Sequence, residues 1–191
     1  VHKPGDEEGI SYPILRAIPH PTYHQPSRAY DIALIQIDTS AASRSAYPGK
    51  IARIQLDPLP LGQRPIRGGM PVYTFGWGLE KVGGQASDVL KGAKMQLEDP
   101  AACTARTKFR GALLQDALLC ASAPDRSQAC NGDSGGPLVT YGDGKPTVIG
   151  VVSAGDECGA TGIPSRYTRV AKVRDWIEDV LAGLPPERRR R

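Results

Sequence analysis

The chain of 191 residues is 40% hydrophobic, which suits one globular core and argues against intrinsic disorder. Its formal charge of +4 comes from the four arginines at positions 188–191, and the rest of the chain carries 20 basic and 20 acidic side chains. A neutral body argues against a nucleic-acid-binding groove, which needs clustered positive charge. The basic tail has two interpretations, a solvated end or a patch that binds a polyanion or a membrane surface.

Short β-type runs recur along the chain between proline and glycine residues. They predict strands at residues 32–37, 72–77, 89–97, 138–141, 147–152 and 167–170. Such a succession of short strands is typical of an all-β sandwich or barrel.

Helical signals occur in two places. Asp99 and Pro100 form an N-cap and N1 pair that predicts a short helical turn carrying Cys103. Near the end of the chain, apolar residues at helical spacing predict an amphipathic helix that ends before Gly183. Its apolar face consists of Val173, Trp176, Ile177, Val180 and Leu181.

The four cysteines, at positions 103, 120, 130 and 158, form no C-x-x-C pair and have no nearby histidine to complete a zinc site. We expect two disulfides and therefore an oxidising compartment, extracellular or periplasmic. Their spacing allows three connectivities. No run of about 18 apolar residues predicts a membrane span.

The segment CNGDSGGPL, residues 130–138, places Ser134 among three glycines. GDSGG fits the G-x-S-x-G nucleophile elbow of α/β-hydrolases, but that fold places its histidine after the serine, whereas all three histidines of this chain precede Ser134. The other arrangement that needs these glycines is an oxyanion hole. In it, the backbone N–H groups of Gly132 and Ser134 stabilise the negative oxygen of a tetrahedral intermediate.

CNGDSGGPL resembles the active-serine segment of the chymotrypsin/trypsin-like serine proteases, and YDIALI, residues 30–35, resembles that family's aspartate segment. Further matches follow in family order: HPTY before the aspartate, GWG in the middle, VSAG after the serine, then PSRYTRV and the terminal helix. The resemblance implies an all-β, chymotrypsin-like fold. Such a fold has two six-stranded Greek-key β-barrels, of which the first would be incomplete here, and a C-terminal α-helix.

The resemblance also implies a secreted serine endopeptidase that acts on polypeptides through a His-Asp-Ser triad and an acyl-enzyme, and that proteinaceous inhibitors bind. Ser134 corresponds to the nucleophile, and Asp31 to the aspartate that orients and stabilises the catalytic imidazole. Asp133 corresponds to the residue that receives the new N-terminal amine after activation cleavage. Each residue also has a purely structural interpretation. Ser134 could be a serine in a tight glycine-rich turn, and Asp31 could be a helix or strand cap or a surface charge.

The disulfides implied by the resemblance pair Cys103 with Cys120 and Cys130 with Cys158. No metal and no cofactor is required by this chemistry. The acidic residues 6–8 fall near a loop that binds calcium in some relatives, but three consecutive acidic residues are more typical of a solvated turn.

The chain departs from the family in lacking the histidine that would act as the base for Ser134. A serine hydroxyl is a weak nucleophile until a base takes its proton. The family's histidine lies farther upstream of the aspartate, in an Ala-Ala-His-Cys-like segment that this sequence does not contain, and we interpret His2, His20 and His24 as solvated loop residues.

We therefore expect an N-terminally truncated protease domain, residues 1–184, followed by a basic disordered tail, residues 185–191. The catalytic histidine would lie in the missing upstream segment, and the chain alone would be nearly inactive. The alternative is a non-catalytic homologue that acts as a protein-binding module.

Five residues are predicted to shape the substrate site. Gln128, six residues before the serine, corresponds to the bottom of the primary specificity pocket, where an aspartate would select Arg and Lys. The neutral Gln128 therefore favours neutral side chains. Gly155 leaves the pocket mouth open, Ser165 narrows the interior and Ala154 removes an apolar wall. The segment from Ser153 to Gly155 offers backbone groups to an extended peptide.

Overall fold

The computed structural model describes residues 12–40, 52–58, 67–107, 117–141, 144–155, 157–159 and 161–183. His2, the acidic residues 6–8 and the tail at 185–191 lie outside these ranges. The strands are β1 (Ile14–Pro19), β2 (Ala33–Ile37), β3 (Gln55–Leu56), β4 (Pro71–Gly76), β5 (Lys91–Leu97), β6 (Leu118–Ser122), β7 (Pro137–Thr140), β8 (Thr147–Ala154) and β9 (Ser165–Arg169). The helices are α1 (Pro100–Arg106) and α2 (Val170–Gly183), with a 3-10 turn at Glu157–Gly159.

Six antiparallel strands close into a barrel in the order β4-β5-β6-β9-β8-β7, since β7 pairs back with β4. Strand β3 adds to β8 in parallel, and β1 and β2 form a separate antiparallel sheet. Alternate side chains point into the barrel, as in Val72 and Thr74 of β4 and Met95 and Leu97 of β5. Tyr167 of β9 fills the middle with no exposed surface. The predicted all-β, chymotrypsin-like fold with a C-terminal helix is confirmed.

All six predicted strands form, and each observed end lies within two residues of the predicted end. The sequence pattern did not predict β1, β3 or β6. Strand β6 lies between β5 and β9, and its first four residues are all buried. Its sequence, LLCAS, contains none of the β-branched or aromatic residues that indicate a strand. The signal for β6 was therefore absent from its own sequence.

Helix α1 begins at Pro100, as predicted, with Asp99 in the N-cap position. The Asp99 side chain makes no capping hydrogen bond. Instead its Oδ1 accepts a hydrogen bond from the backbone N–H of Gly68 at 2.9 Å. This contact ties the start of α1 to the turn before β4.

Helix α2 follows β9 directly and packs Val170, Val173 and Ile177 against the barrel. Leu181, predicted on the same apolar face, is 57% exposed in the last turn of the helix. No helix among the described residues has the length and apolarity to cross a membrane.

Candidate active site

Asp31 lies just before β2, where contacts from two barrel strands hold it. Ser153 of β8 donates a hydrogen bond from Oγ to the Asp31 Oδ2 at 2.8 Å, and Thr168 of β9 donates from Oγ1 to the Asp31 carbonyl oxygen at 2.9 Å. The Arg28 guanidinium lies 3.7 Å from the same Oδ2. These contacts hold the Asp31 carboxylate against β8.

Ser134 is exposed in the turn that leads into β7. The N–H of Gly135 donates to the Val152 carbonyl oxygen at 2.9 Å, which ties the turn to β8. Gly132 has a φ of 97°, a left-handed conformation that favours glycine. Among the described residues, the backbone N–H groups of Gly132 and Ser134 have no hydrogen-bond acceptor. The turn that carries Ser134 therefore has two N–H donors without a described partner.

Asp133 points away from this turn and into the protein. Its Oδ1 accepts the N–H of Gly78 at 2.8 Å, and its Oδ2 accepts the N–H of Cys130 at 2.9 Å. A Cβ at Gly76 would lie 1.9 Å from the Asp133 Oδ1, and a Cβ at Gly78 would lie 2.5 Å from its Cγ. The two glycines of the GWG segment therefore make room for the Asp133 carboxylate, a role that the sequence alone did not reveal.

A cavity of about 340 Å³ opens beside Ser134, and part of its wall consists of Arg28, Val82, Ala129, Ser153, Ala154 and Gly155. A Cβ at Gly155 would lie 3.3 Å from the Oγ of Ser165, which is fully buried behind this wall. Three of the five predicted substrate-site residues therefore line this cavity together with Ser134, and a fourth, Ser165, lies behind Gly155.

Gln128 lines a second cavity, of about 620 Å³, beside Asp133. Val82, Cys130 and Cys158 contribute to the walls of both cavities. The Gln128 Nε2 is buried and has no hydrogen-bond partner among the described residues. The side chain therefore adjoins the space around the Asp133 carboxylate.

Both disulfides form with the pairing that the resemblance implies. Cys103 of α1 bonds to Cys120 of β6, and Cys130 bonds to Cys158 in the 3-10 turn. The second disulfide links the segment before Ser134 to the turn that follows β8. Within the described ranges, no three potential metal-ligating side chains lie together.

His20 is not a solvated loop residue, and that prediction was wrong. Its ring is stacked on Tyr30 at 4.7 Å between centroids and contacts Trp176 of α2 at the same distance. The Nδ1 accepts the backbone N–H of Thr22 at 3.3 Å. The apolar surface of α2 covers this part of the loop, and the His20 side chain is only 9% exposed.

His24 is exposed, as predicted, and its Nδ1 lies 2.7 Å from the Ser27 Oγ. Neither His20 nor His24 lines the cavity beside Ser134. The structure therefore does not bring either histidine together with the serine hydroxyl.

The burial of His20 predicts a pH-dependent stability. Burial lowers the pKa of His20 below its ordinary value of 6.5. As the pH falls below about 6.5, the unfolded chain takes up this proton before the folded protein does, so the free energy of unfolding decreases. Urea denaturation between pH 8 and pH 5 should show the decrease, and the variant His20→Phe, which keeps a ring between Tyr30 and Trp176, should show less of it. An identical pH dependence in both proteins would contradict this role of His20.

Comparison with known proteins places these features in a family. The trypsin family model matches residues 2–177. The chain is 32% identical over 181 residues to chymotrypsin-like elastase family member 1 of Canis lupus familiaris, which covers 94% of this chain and 67% of that protein. It is 35% identical over 168 residues to Trypsin 5G1 of Aedes aegypti, and this match covers 86% of this chain and 58% of that protein.

A further relative is transmembrane protease serine 7 of Rattus norvegicus, 32% identical over 179 residues, which cover 90% of this chain and 20% of that protein. The chain thus spans about two thirds or less of each of these relatives. Since the family model extends over both β1–β2 and the closed barrel that carries Ser134, the chain belongs to the trypsin family of serine proteases.

Proposed function

We propose that this protein is a serine endopeptidase that cleaves peptide bonds through Ser134. The observation that carries the proposal is the hydrogen bond from Ser153 to Asp31, because Ser153 also lines the cavity beside Ser134. Strand β8 thereby links the Asp31 carboxylate to the wall of the cavity beside Ser134, which supports a shared site for the two residues. Family membership supports the same assignment.

In the proposed mechanism, the Ser134 Oγ attacks the scissile carbonyl carbon while a histidine takes its proton. The N–H groups of Gly132 and Ser134 donate to the oxyanion that forms on the carbonyl oxygen. Asp31 holds the imidazole in the correct tautomer and stabilises its charged form. The imidazolium protonates the leaving amine, and water then hydrolyses the acyl-enzyme.

The histidine that completes this triad is proposed to lie outside the 191 residues. His20 is packed between Tyr30 and Trp176, and His24 is directed to Ser27. With the base absent, the 191-residue chain would retain the oxyanion-hole donors but lose several orders of magnitude in rate.

The remaining residues are assigned to substrate binding and activation. The segment from Ser153 to Gly155 would pair with an extended peptide, and the neutral Gln128 would favour neutral over basic side chains at the cleaved bond. Asp133, next to the cavity of about 620 Å³, would receive an N-terminal amine after activation cleavage. The two disulfides support secretion, because such bonds persist in oxidising compartments.

Labelling with an organophosphate tests the nucleophile and the missing base separately. We expect stoichiometric labelling of the complete activated protein, loss of labelling in Ser134→Ala, and very slow labelling of the 191-residue chain. Rapid labelling of the 191-residue chain would contradict a base outside it. A complete, folded protein that neither reacts nor hydrolyses esters would instead support a non-catalytic binding module.

A further inference from the structure

Arg28 brings a positive charge to the cavity beside Ser134. Its side chain forms part of the same wall as Ser153 and Gly155, the segment proposed to pair with a peptide. Among the described residues that line this cavity, Arg28 alone carries a charge. A peptide bound across Ser134 would therefore pass the Arg28 cation.

The Arg28 guanidinium is weakly engaged in the unbound protein. Among the residues that the structure describes, its ionic partner is Asp31, at 3.7 Å between the Arg28 Nη1 and the Asp31 Oδ2. The same oxygen already accepts the shorter hydrogen bond from Ser153 at 2.8 Å. The Arg28 side chain is 49% exposed, and a guanidinium has five N–H donors in a fork that matches a carboxylate. Most of these donors remain available to a ligand.

The backbone holds Arg28 in place over the cavity. Arg28 and Tyr30 have φ angles of 54° and 57°, left-handed values that L residues seldom adopt. The loop is closed by the bridge between His24 and Ala29, and the Tyr30 ring is stacked on the buried His20. Strained loop conformations of this kind persist where the surrounding structure enforces them, often at ligand sites.

We propose that Arg28 selects peptide substrates that carry an aspartate or glutamate close to the bond cleaved by Ser134, an inference that rests on the proposed endopeptidase function. The substrate carboxylate replaces Asp31 as the partner of the Arg28 guanidinium. The Asp31 Oδ2 keeps its hydrogen bond from Ser153. Substrate binding and release of the Arg28–Asp31 pair are then coupled.

The test compares peptides that differ in one residue. A single Glu, Gln or Lys is moved along an otherwise neutral peptide around one scissile bond, and kcat/KM is measured with the complete protein. At the position that faces Arg28, we expect Glu to be preferred over Gln by roughly threefold to fivefold, the range of half-exposed ion pairs. Raising the salt concentration from about 0.05 M to 0.5 M should reduce the preference.

Two variants and one control assign the preference to Arg28. In Arg28→Gln the Glu-to-Gln ratio should fall to about one, and in Arg28→Glu the preference should reverse in favour of Lys. Arg16→Gln, at an exposed arginine of β1 that lines neither cavity, should keep the wild-type ratio. An unchanged ratio in Arg28→Gln would overturn the proposal.

A binding measurement separates this proposal from the proposed function. The Glu and Gln peptides are labelled with a fluorophore, and their affinity for the Ser134→Ala form of the 191-residue chain is measured. A preference for the Glu peptide that is lost in the double variant with Arg28→Gln supports the role of Arg28 even if no peptide is hydrolysed. Equal affinity for the Glu and Gln peptides, or no binding of either at millimolar concentration, would overturn it.

Discussion

Replacing Asp31 by asparagine should lower the kcat of the complete protein by about 10⁴-fold, the loss that this substitution causes in a serine protease triad. A neutral amide does not stabilise an imidazolium, and its NH₂ group favours the wrong tautomer of the imidazole. The fold should remain intact, because the hydrogen bond from Thr168 goes to the backbone carbonyl oxygen of residue 31 and does not depend on the side chain. Peptide hydrolysis and the Tm of the same preparation would measure both effects.

Asp179→Asn is the matched control for this prediction. Asp179 is an exposed carboxylate on α2, so its neutralisation should leave kcat and stability close to the wild-type values. A loss of less than about tenfold in Asp31→Asn, with an unchanged Tm, would show that Asp31 does not act in the triad.

Replacing Gly76 by alanine should destabilise the protein by about 1–3 kcal/mol, the usual cost of forcing an extra group into an occupied space. The new Cβ would lie 1.9 Å from the Asp133 Oδ1, so the carboxylate would have to leave its position. Asp133 would then lose its hydrogen bonds to the N–H groups of Gly78 and Cys130. Since Asp133 adjoins Ser134, activity should fall together with the free energy of unfolding, which urea denaturation would measure.

Two further variants test whether the contact between the new Cβ and Asp133 causes the loss of stability in Gly76→Ala. Gly183→Ala places a Cβ at the end of α2 with no atom within 4 Å and should change stability by less than about 0.5 kcal/mol. In the double variant of Gly76→Ala and Asp133→Ala, the second substitution removes the clash, so the combined cost should be less than the sum of the single costs. Additive costs, or a stable Gly76→Ala protein, would contradict the proposed role of Gly76.

The sequence predicted five of the six barrel strands but not β6, whose sequence LLCAS contains no β-branched or aromatic residue. It also predicted the position of α1 but not the use of Asp99, because the partner of that side chain, Gly68, lies 31 residues away. The error at His20 has the same origin. A polar residue in a Pro-containing loop is usually solvated, and only the docking of α2 brings Trp176 over its ring.

By itself, the sequence determined the features that depend on neighbouring residues. The glycines around Ser134 permit the left-handed turn and the two unpaired N–H groups, and the short β-type runs indicate an all-β protein. Backbone conformation of this kind is set by local sterics, which adjacent residue types reveal.

Only the tertiary structure decided which side chains meet. Asp31 and Ser153 are 122 positions apart and share a hydrogen bond because the segment before β2 packs against β8 and β9. Gly76 and Gly78 leave space for the Asp133 carboxylate. Arg28 lines the cavity beside Ser134, far from it in sequence. These contacts depend on how distant strands and loops pack together, and the residues involved have no pattern in common along the chain.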